Sequence, residues 1–470
     1  MTRQDSPTTS NESDISNEIK KLEALFHVDS AKLKQISKRF IEELQDGLQA
    51  QGQNIPMNET WVHGFPSGKE TGSFLTIDLG GTNIRICWIT PIGERGVHKI
   101  QQHSYRLPDD IKTGTAEKLW SFIAGSLESF IDDRKLEGSK DKPLKLSFTF
   151  SYPLSQSSID HGKLQTWTKG WDVEGVEGED VGEQLVKALQ ERSLPVHLIA
   201  IVNDTTGAMI ASAYNDPATI IGAIFGTGCN AAYMERLSRI PKLASHPTAR
   251  SLPEDTPMAV NCEYGAFDPS LQVLPCTPYD KQIDADSPRP GEQRFEKLSA
   301  GLYLGEIFRL TLLDLHQNHN FLPDQDLASK KLGKTPYALD TAVLSAIEDD
   351  ASPSLSESRD LLKKDFDVSV SESDMKFLQR LAIAIATRGA RLCACGVAAI
   401  CTMTDTREGN VAADGSVANK HPRFKARWAQ ALGEILDWKE GEQQPIKLTS
   451  AEDGSGVGAA VIAAMTLAKK

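Results

Sequence analysis

Two glycine-rich turns and one strand-end carboxylate are the residues of this 470-residue chain whose types and spacing point most directly to chemistry. In Asp78-Leu79-Gly80-Gly81-Thr82-Asn83 a carboxylate is followed by two glycines, which let backbone N–H groups approach a phosphate closely. Thr82 adds a hydroxyl donor, and Asp78 is suited to reach Mg²⁺ through water. The same residues also make a good hairpin turn. They are no Walker A loop, because the lysine is missing and the turn leads into a strand. Gly226-Thr227-Gly228 repeats this chemistry further along. Alone it reads as a turn; paired with the first loop on an opposing domain, it would clamp a triphosphate that one loop cannot hold.

Asn203-Asp204-Thr205 ends an apolar run, where α/β sheets place ligands. Helix capping is the plain reading of these residues. The chemical one is a carboxylate that accepts the proton of an attacking hydroxyl. Carbohydrate hydroxyls need paired donors and acceptors. The side chains of that vocabulary at expected loop tips are Ser151, Thr168, Lys169, Asn203, Asn230, Glu263 and Glu296. Each singly is commonly a surface or capping residue. His316 and His319 have a metal-like spacing but no third ligand nearby, and Cys393 and Cys395 sit in an apolar helical run, so both pairs read as structural.

The elements that must position these groups alternate between strand and helix. Leu33, Ile36, Phe40, Leu44 and Leu48 fall on one helical face, with Gly52 beyond its end. Strands are expected at Phe74–Asp78, Ile84–Ile89, Leu144–Phe150, His197–Val202, Thr219–Phe225 and Cys229–Tyr233. The first and last pairs make two strand–glycine turn–strand units, a weak internal repeat. Residues Arg239–Pro257 and Pro275–Pro290 read as irregular, and one helix is expected from Gln293 to about Leu315. Helices rich in small residues follow over Arg388–Cys401 and Gly456–Lys469, and the whole is an α/β protein.

Composition narrows the function classes. The formal charge of −13 disfavours nucleic acid and anionic membrane as partners, and requires an anionic nucleotide to be held by local dipoles and cations. Seven scattered cysteines suggest neither a disulfide framework nor a zinc site. The polar opening segment has no apolar leader, and no membrane-spanning run is read, so a cytoplasmic protein is expected.

At this point the residues resemble a family. Asp78–Arg85 is similar to the first phosphate loop of the eukaryotic hexokinases, closest to the fungal hexokinases and glucokinases, and Phe148–Pro153 with Trp167–Gly170 to their sugar-binding signature. Asn203–Thr205, Phe225–Asn230, Asn261–Gly265, Ser287–Gly291, Ala413–Ser416 and Ala451–Gly456 continue the match in order, over roughly residues 16–468. The resemblance implies the actin-like ATPase (ribonuclease H-like) fold, with small and large domains and the active-site cleft between them. Residues 1–15 are then a disordered tail, 16–213 the N-terminal half, mostly small domain from about 70, and 217–468 the C-terminal half with its last helix returning to the small domain.

The implied activity is transfer of the γ-phosphate of ATP to the C6 hydroxyl of a hexose. The implied catalytic residues are Asp204, as base, and Lys169. Ser151, Thr168, Lys169, Asn203, Asp204, Asn230, Glu263, Gln293 and Glu296 hold the sugar. Asp78, Leu79, Gly80, Gly81, Thr82, Asn83, Thr227, Gly301, Ser416, Val417, Ala418, Asn419 and Lys420 line the nucleotide site. Mg²⁺ comes with ATP, with Asp78 and Asp204 in reach through water and no direct protein ligand. The partners are the hexose and MgATP, on a monomer or homodimer. Glu292, Pro269-Ser270 and Glu59 depart from the family pattern, and Glu292 places a charge beside Gln293. The alternative is a sugar sensor of the same family with weak or no catalysis.

Overall fold

The computed structural model describes residues 7–80, 82–168, 170–439, 444–451 and 454–469, with side chains from residue 15 onward. Its strands in chain order are β1 (Asn58–His63), β2 (Phe74–Leu79), β3 (Asn83–Pro91), β4 (His98–Arg106), β5 (Leu144–Phe150), β6 (Leu154–Ser158), β7 (His161–Leu164), β8 (Val196–Val202), β9 (Thr219–Phe225), β10 (Cys229–Arg236), β11 (Pro257–Asn261), β12 (Gly409–Asp414) and β13 (Ile446–Ser450). Two sheets carry the fold. The smaller has the order β4-β3-β2-β5-β8 and the larger β1-β11-β10-β9-β12-β13, with β6 and β7 as a separate hairpin.

The internal repeat expected from the sequence extends to whole sheets. In each, three sequential strands form an antiparallel meander, and two later strands add in parallel beside its first strand. The glycine turns therefore sit at equivalent places, after β2 and after β9. The parallel strands are buried on both faces over most of their length: β5 exposes only Lys145, burying Ser147 and Thr149 with its leucines and phenylalanines, and β8 is buried from Leu198 to Val202. The crossover segments need helices to cover them.

Between the sheets, the Asp204–Asn215 helix packs on β9 and against the Gly454–Ala468 helix, which lies on β2, β3, β5 and β8. These two helices cross at Gly207 and Gly458, where a Cβ on Gly458 would collide with the Gly207 carbonyl. Small residues there are a condition of the crossing. The large-domain core gathers around the Glu372–Thr404 helix and the Ser30–Gln49 helix, whose expected face (Leu33, Ile36, Phe40, Leu44, Leu48) is buried.

Four expectations need amending. The segment read as disordered is helical from Pro7 to Phe26, and Ile15, Ile19, Leu22 and Phe26, at helical spacing, bury one face. The irregular stretch Pro275–Pro290 contains a helix, Pro278–Asp286, started by a Thr277–Asp280 capping box. The helix expected from Gln293 is two helices, Arg294–Ser299 and Gly301–Asn318, broken at an extended Ala300. Finally, Glu372–Thr404 is long and apolar enough to cross a bilayer by length and composition, yet its most apolar stretch is mostly buried inside the protein, as befits a core helix.

Candidate active site

The cleft between the two sheets collects polar side chains from both. Ser151 follows β5, Thr168 follows β7, and Asn203 and Asp204 follow β8. From the large domain come Asn230 on β10, Glu263 after β11, and Gln293 and Glu296 at the start of the Arg294–Ser299 helix. All eight line one pocket. The expected sugar-site residues are thus brought together, with the exception of Lys169, which, with Gly81, Glu452 and Asp453 of the quoted motifs, lies outside the described residues.

The pocket's floor is a hydrogen-bond network with one focus. The Nδ2 groups of Asn203, Asn230 and Asn261 donate to Oε1 of Glu263 at 3.3, 3.1 and 2.8 Å. Oδ1 of Asn230 in turn accepts the backbone N–H groups of Ala231 and Glu263. Asn203, Asn230 and Asn261 are buried, so this network holds its geometry without help from water. Glu296 Oε2 accepts the Cys229 N–H at 3.0 Å, which ties the Arg294–Ser299 helix to the turn after β9. Glu263 and Gln293 both have left-handed backbones, φ 55° and 52°. Such strain in non-glycine residues costs on the order of 1–3 kcal/mol each and persists where the surroundings impose it. It aims two carboxylate- or amide-bearing loops into the pocket.

Asp204 is the first residue of its helix, capped by Asn203, whose Oδ1 accepts the Thr205 N–H at 2.9 Å. The Thr205 N–H and hydroxyl both donate to Oδ1 of Asp204, at 2.8 and 3.2 Å. The capping reading of Asn203-Asp204-Thr205 therefore holds, and the cap fixes the direction of the Asp204 carboxylate.

Beyond Asp204 the cleft turns acidic. Asp78, at the end of β2, accepts from Ser455 Oγ at 2.7 Å and from Arg85 at 3.2 Å. Asp414, at the end of β12, accepts the Gly415 N–H at 2.6 Å. Burial pushes both carboxyls above their usual range, and the charge of Asp204 pushes both further. Asp78 and Asp414, with the charge of Asp204 acting on both, are the donor set that a hard divalent cation would suit.

Around them lie the glycine turns. Gly80 N–H bonds Asn83 O at 3.0 Å, and Thr82 and Asn83 are exposed beside it. On the opposite side Gly226, Gly301 and Gly415 converge. Gly301 N–H donates to Gly226 O at 2.7 Å, and a Cβ on Gly226 would stand 3.0 Å from Gly415 Cα. The break at Ala300 is what frees Gly301 for this contact. Thr227, Ser416, Asn419 and Lys420 are exposed around it, whereas Leu79, Val417 and Ala418 are buried beneath and offer packing and backbone.

Ser455, Arg85, Asp414 and Asn261 were not singled out as site residues by sequence reasoning. Asn261 had a usable signal, since it opens the Asn261–Gly265 motif that carries Glu263. Ser455 had only its place in the Ala451–Gly456 motif, and nothing local tied it to Asp78, 377 residues away.

Two hexokinase family models match the chain, one over residues 18–214 and the other over 220–465. This chain belongs to the hexokinase family. It is 53% identical over 449 residues to the hexokinase of Emericella nidulans, covering 96% of this chain and 90% of that protein. Its identity to hexokinase-1 of Saccharomyces cerevisiae is 47% over 455 residues, 96% of this chain and 93% of the relative. In structure it is similar to the hexokinase from Schistosoma mansoni complexed with glucose, with TM-score 0.86, 32% identity, and 97% and 99% of the two chains covered. The two-sheet architecture is thus the actin-like ATPase fold that the motifs implied.

Proposed function

We propose that this hexokinase-family enzyme transfers the γ-phosphoryl group of ATP to the C6 hydroxyl of glucose, and of mannose and fructose, giving hexose 6-phosphate and ADP. The observation that carries the reading is the buried network focused on Glu263 in the same pocket as the helix-capped Asp204. A rigid set of amides and carboxylates suits a polyhydroxylated ligand, and leaves one oriented carboxylate for proton transfer.

Asn203, Asn230, Glu263, Gln293, Glu296, Ser151 and Thr168 orient the ring so that its C6 hydroxyl meets Asp204; Lys169 joins them by the family motif. Asp204 takes the hydroxyl proton as the oxygen bonds to the γ-phosphorus and the bond to the bridging β–γ oxygen breaks. The glycine turns Gly80-Gly81 and Gly226–Gly228, with Thr82, Asn83, Thr227, Gly301 and the Ser416–Lys420 segment, line the nucleotide site from two sides, the Gly80 and Gly226 N–H groups closing the turns themselves on Asn83 O and Gly228 O. Asp78, Asp204 and Asp414 are the residues suited to hold Mg²⁺ through water. Bound with ATP, the ion supplies charge neutralisation at the phosphates. The small domain, built on the β4-β3-β2-β5-β8 sheet, and the large domain, built on the β1-β11-β10-β9-β12-β13 sheet, close on the sugar and exclude water. The enzyme works in the cytoplasm as a monomer or homodimer.

The test is ADP release by the purified protein with MgATP and each hexose, with the product's phosphate position read by NMR. Hexose-dependent turnover with phosphate on C6 supports the reading. Glucose binding without turnover replaces it with a sugar-sensing one.

A further inference from the structure

At the mouth of the cleft one guanidinium joins the two domains. Arg289 belongs to the Ser287–Gly291 loop of the large domain. The loop's backbone is fixed from within that domain: Lys297 Nζ bonds Arg289 O at 2.9 Å and Asp284 at 2.7 Å, and Asp284 accepts the Gly291 N–H at 3.0 Å. The side chain leaves its own domain. Arg289 donates to Thr166 Oγ1 and to Glu177 Oε2, the latter at 3.2 Å. Glu177 Oε2 also accepts the Trp167 N–H at 3.1 Å. Trp167 stacks on Trp171 in the small-domain core, and Thr168 next to it lines the sugar pocket. A second carboxylate competes for the same guanidinium: Glu292 Oε2 lies 3.8 Å from Arg289 Nη1, on Arg289's own loop. Arg289, Glu292, Thr168 and Gln293 border one cavity of about 550 Å³ that adjoins the sugar pocket and shares Thr168 and Gln293 with it.

We propose that Arg289 is a positioning residue that holds the Thr166–Thr168 segment over the sugar by pairing with Glu177 across the cleft, and that Glu292 weakens this hold by competing for it. The inference rests on the sugar-phosphorylating reading of the site. Arg289 touches no reacting atom; it acts through the segment that carries Thr168. When the cleft opens, the pairing with Glu177 and Thr166 is lost while Glu292, on the same loop, stays within reach. The charge on Glu292 therefore favours the open state, and hexose binding has to overcome that preference. Both carboxylates and the guanidinium are half-exposed, so the pairing is salt-sensitive and its effect modest.

The experiment compares wild type with Arg289→Gln, Arg289→Lys, Glu177→Gln, Glu292→Gln and Arg289→Gln/Glu292→Gln. Hexose KM, kcat and glucose affinity, by tryptophan fluorescence, are read at low and at 0.5 M salt. Arg289→Gln and Glu177→Gln are expected to raise hexose KM and glucose Kd roughly three- to tenfold, with kcat within about twofold. Arg289→Lys recovers part of the loss, and high salt narrows every difference. Glu292→Gln lowers hexose KM by about two- to fivefold, and does nothing in the Arg289→Gln background. A rise or no change in hexose KM for Glu292→Gln overturns the competition. An unchanged KM and Kd in both Arg289→Gln and Glu177→Gln overturns the role altogether, as does an equal fall of kcat in every variant. Wild-type turnover in the same assay checks the underlying reading separately, and glucose affinity reads the proposal even without turnover.

Discussion

On the proposed reading, the sugar and nucleotide halves of the site are built from opposite materials. The sugar half is side chain and buried: three asparagines converge on Glu263, and Glu296 is tied to the chain at Cys229. The nucleotide half is backbone and surface: glycine turns after β2 and β9, Gly301 and Gly415 each packed on Gly226, and exposed Thr82, Thr227, Ser416 and Lys420. A neutral ring with several hydroxyls is recognised by many directional bonds of fixed geometry. A polyanion needs only N–H groups and a cation where its charge falls, which backbone at close approach provides. The contrast predicts that side-chain changes hurt the sugar half most, and added Cβ atoms the nucleotide half.

The largest effect expected within this comparison comes from Glu263→Ala. It strips the common acceptor from three amides, and each donor left unsatisfied costs about 1–3 kcal/mol. Steady-state kinetics should show kcat/KM for hexose falling about 10³-fold, with KM for ATP moving less than about threefold. Gly415→Ala is the converse break. Its φ is +114° and its Cβ would stand 2.5 Å from Phe225 O, so the added methyl strains the turn at the nucleotide. KM for ATP should rise roughly ten- to a hundredfold, as strain of about 1–3 kcal/mol implies, with glucose affinity unchanged by calorimetry.

Acid sensitivity separates the halves more finely. Asp78 and Asp414 must be ionised to face a cation, and burial raises both pKa values, so kcat/KM for ATP is lost as pH falls through values above the ordinary carboxylate range. The hydrogen bond from Ser455 opposes that rise at Asp78. Ser455→Ala should therefore move the acid limb to higher pH, by about one unit if the bond is worth about 1.4 kcal/mol. A pH–rate profile that stays in place would separate Asp78 from nucleotide binding. The smallest change expected is Thr82→Ala, an exposed hydroxyl beside the turn, with a two- to threefold rise in KM for ATP or thereabouts.

This contrast also explains what the sequence made legible. The glycine turns and Asn203-Asp204-Thr205 are contiguous motifs, so their chemistry shows in a few residues. The sheet repeat showed only as two glycine turns, because topology is written in pairings between distant strands. The sugar-binding set was recognisable singly only as polar loop tips; its focus on Glu263 required Asn203, Asn230 and Asn261 to meet from three strands. The break at Ala300 escaped because the local pattern favours one helix, while tertiary contact between Gly301 and Gly226 overrides it. The N-terminal helix escaped because its polar composition outweighed four apolar residues that find a groove to bury in.

Asp204 belongs to both halves, next in the chain to Asn203 of the sugar network and within the electrostatic reach of Asp78 and Asp414. The most direct measurement of the account is glucose turnover by Asp204→Ala beside its glucose affinity. With Asp204 as base, turnover should fall on the order of 10²–10⁴-fold, while glucose Kd changes less than about fivefold because the Glu263 network is left in place. A variant that binds glucose and still turns over within about tenfold of wild type would contradict the assignment of the base.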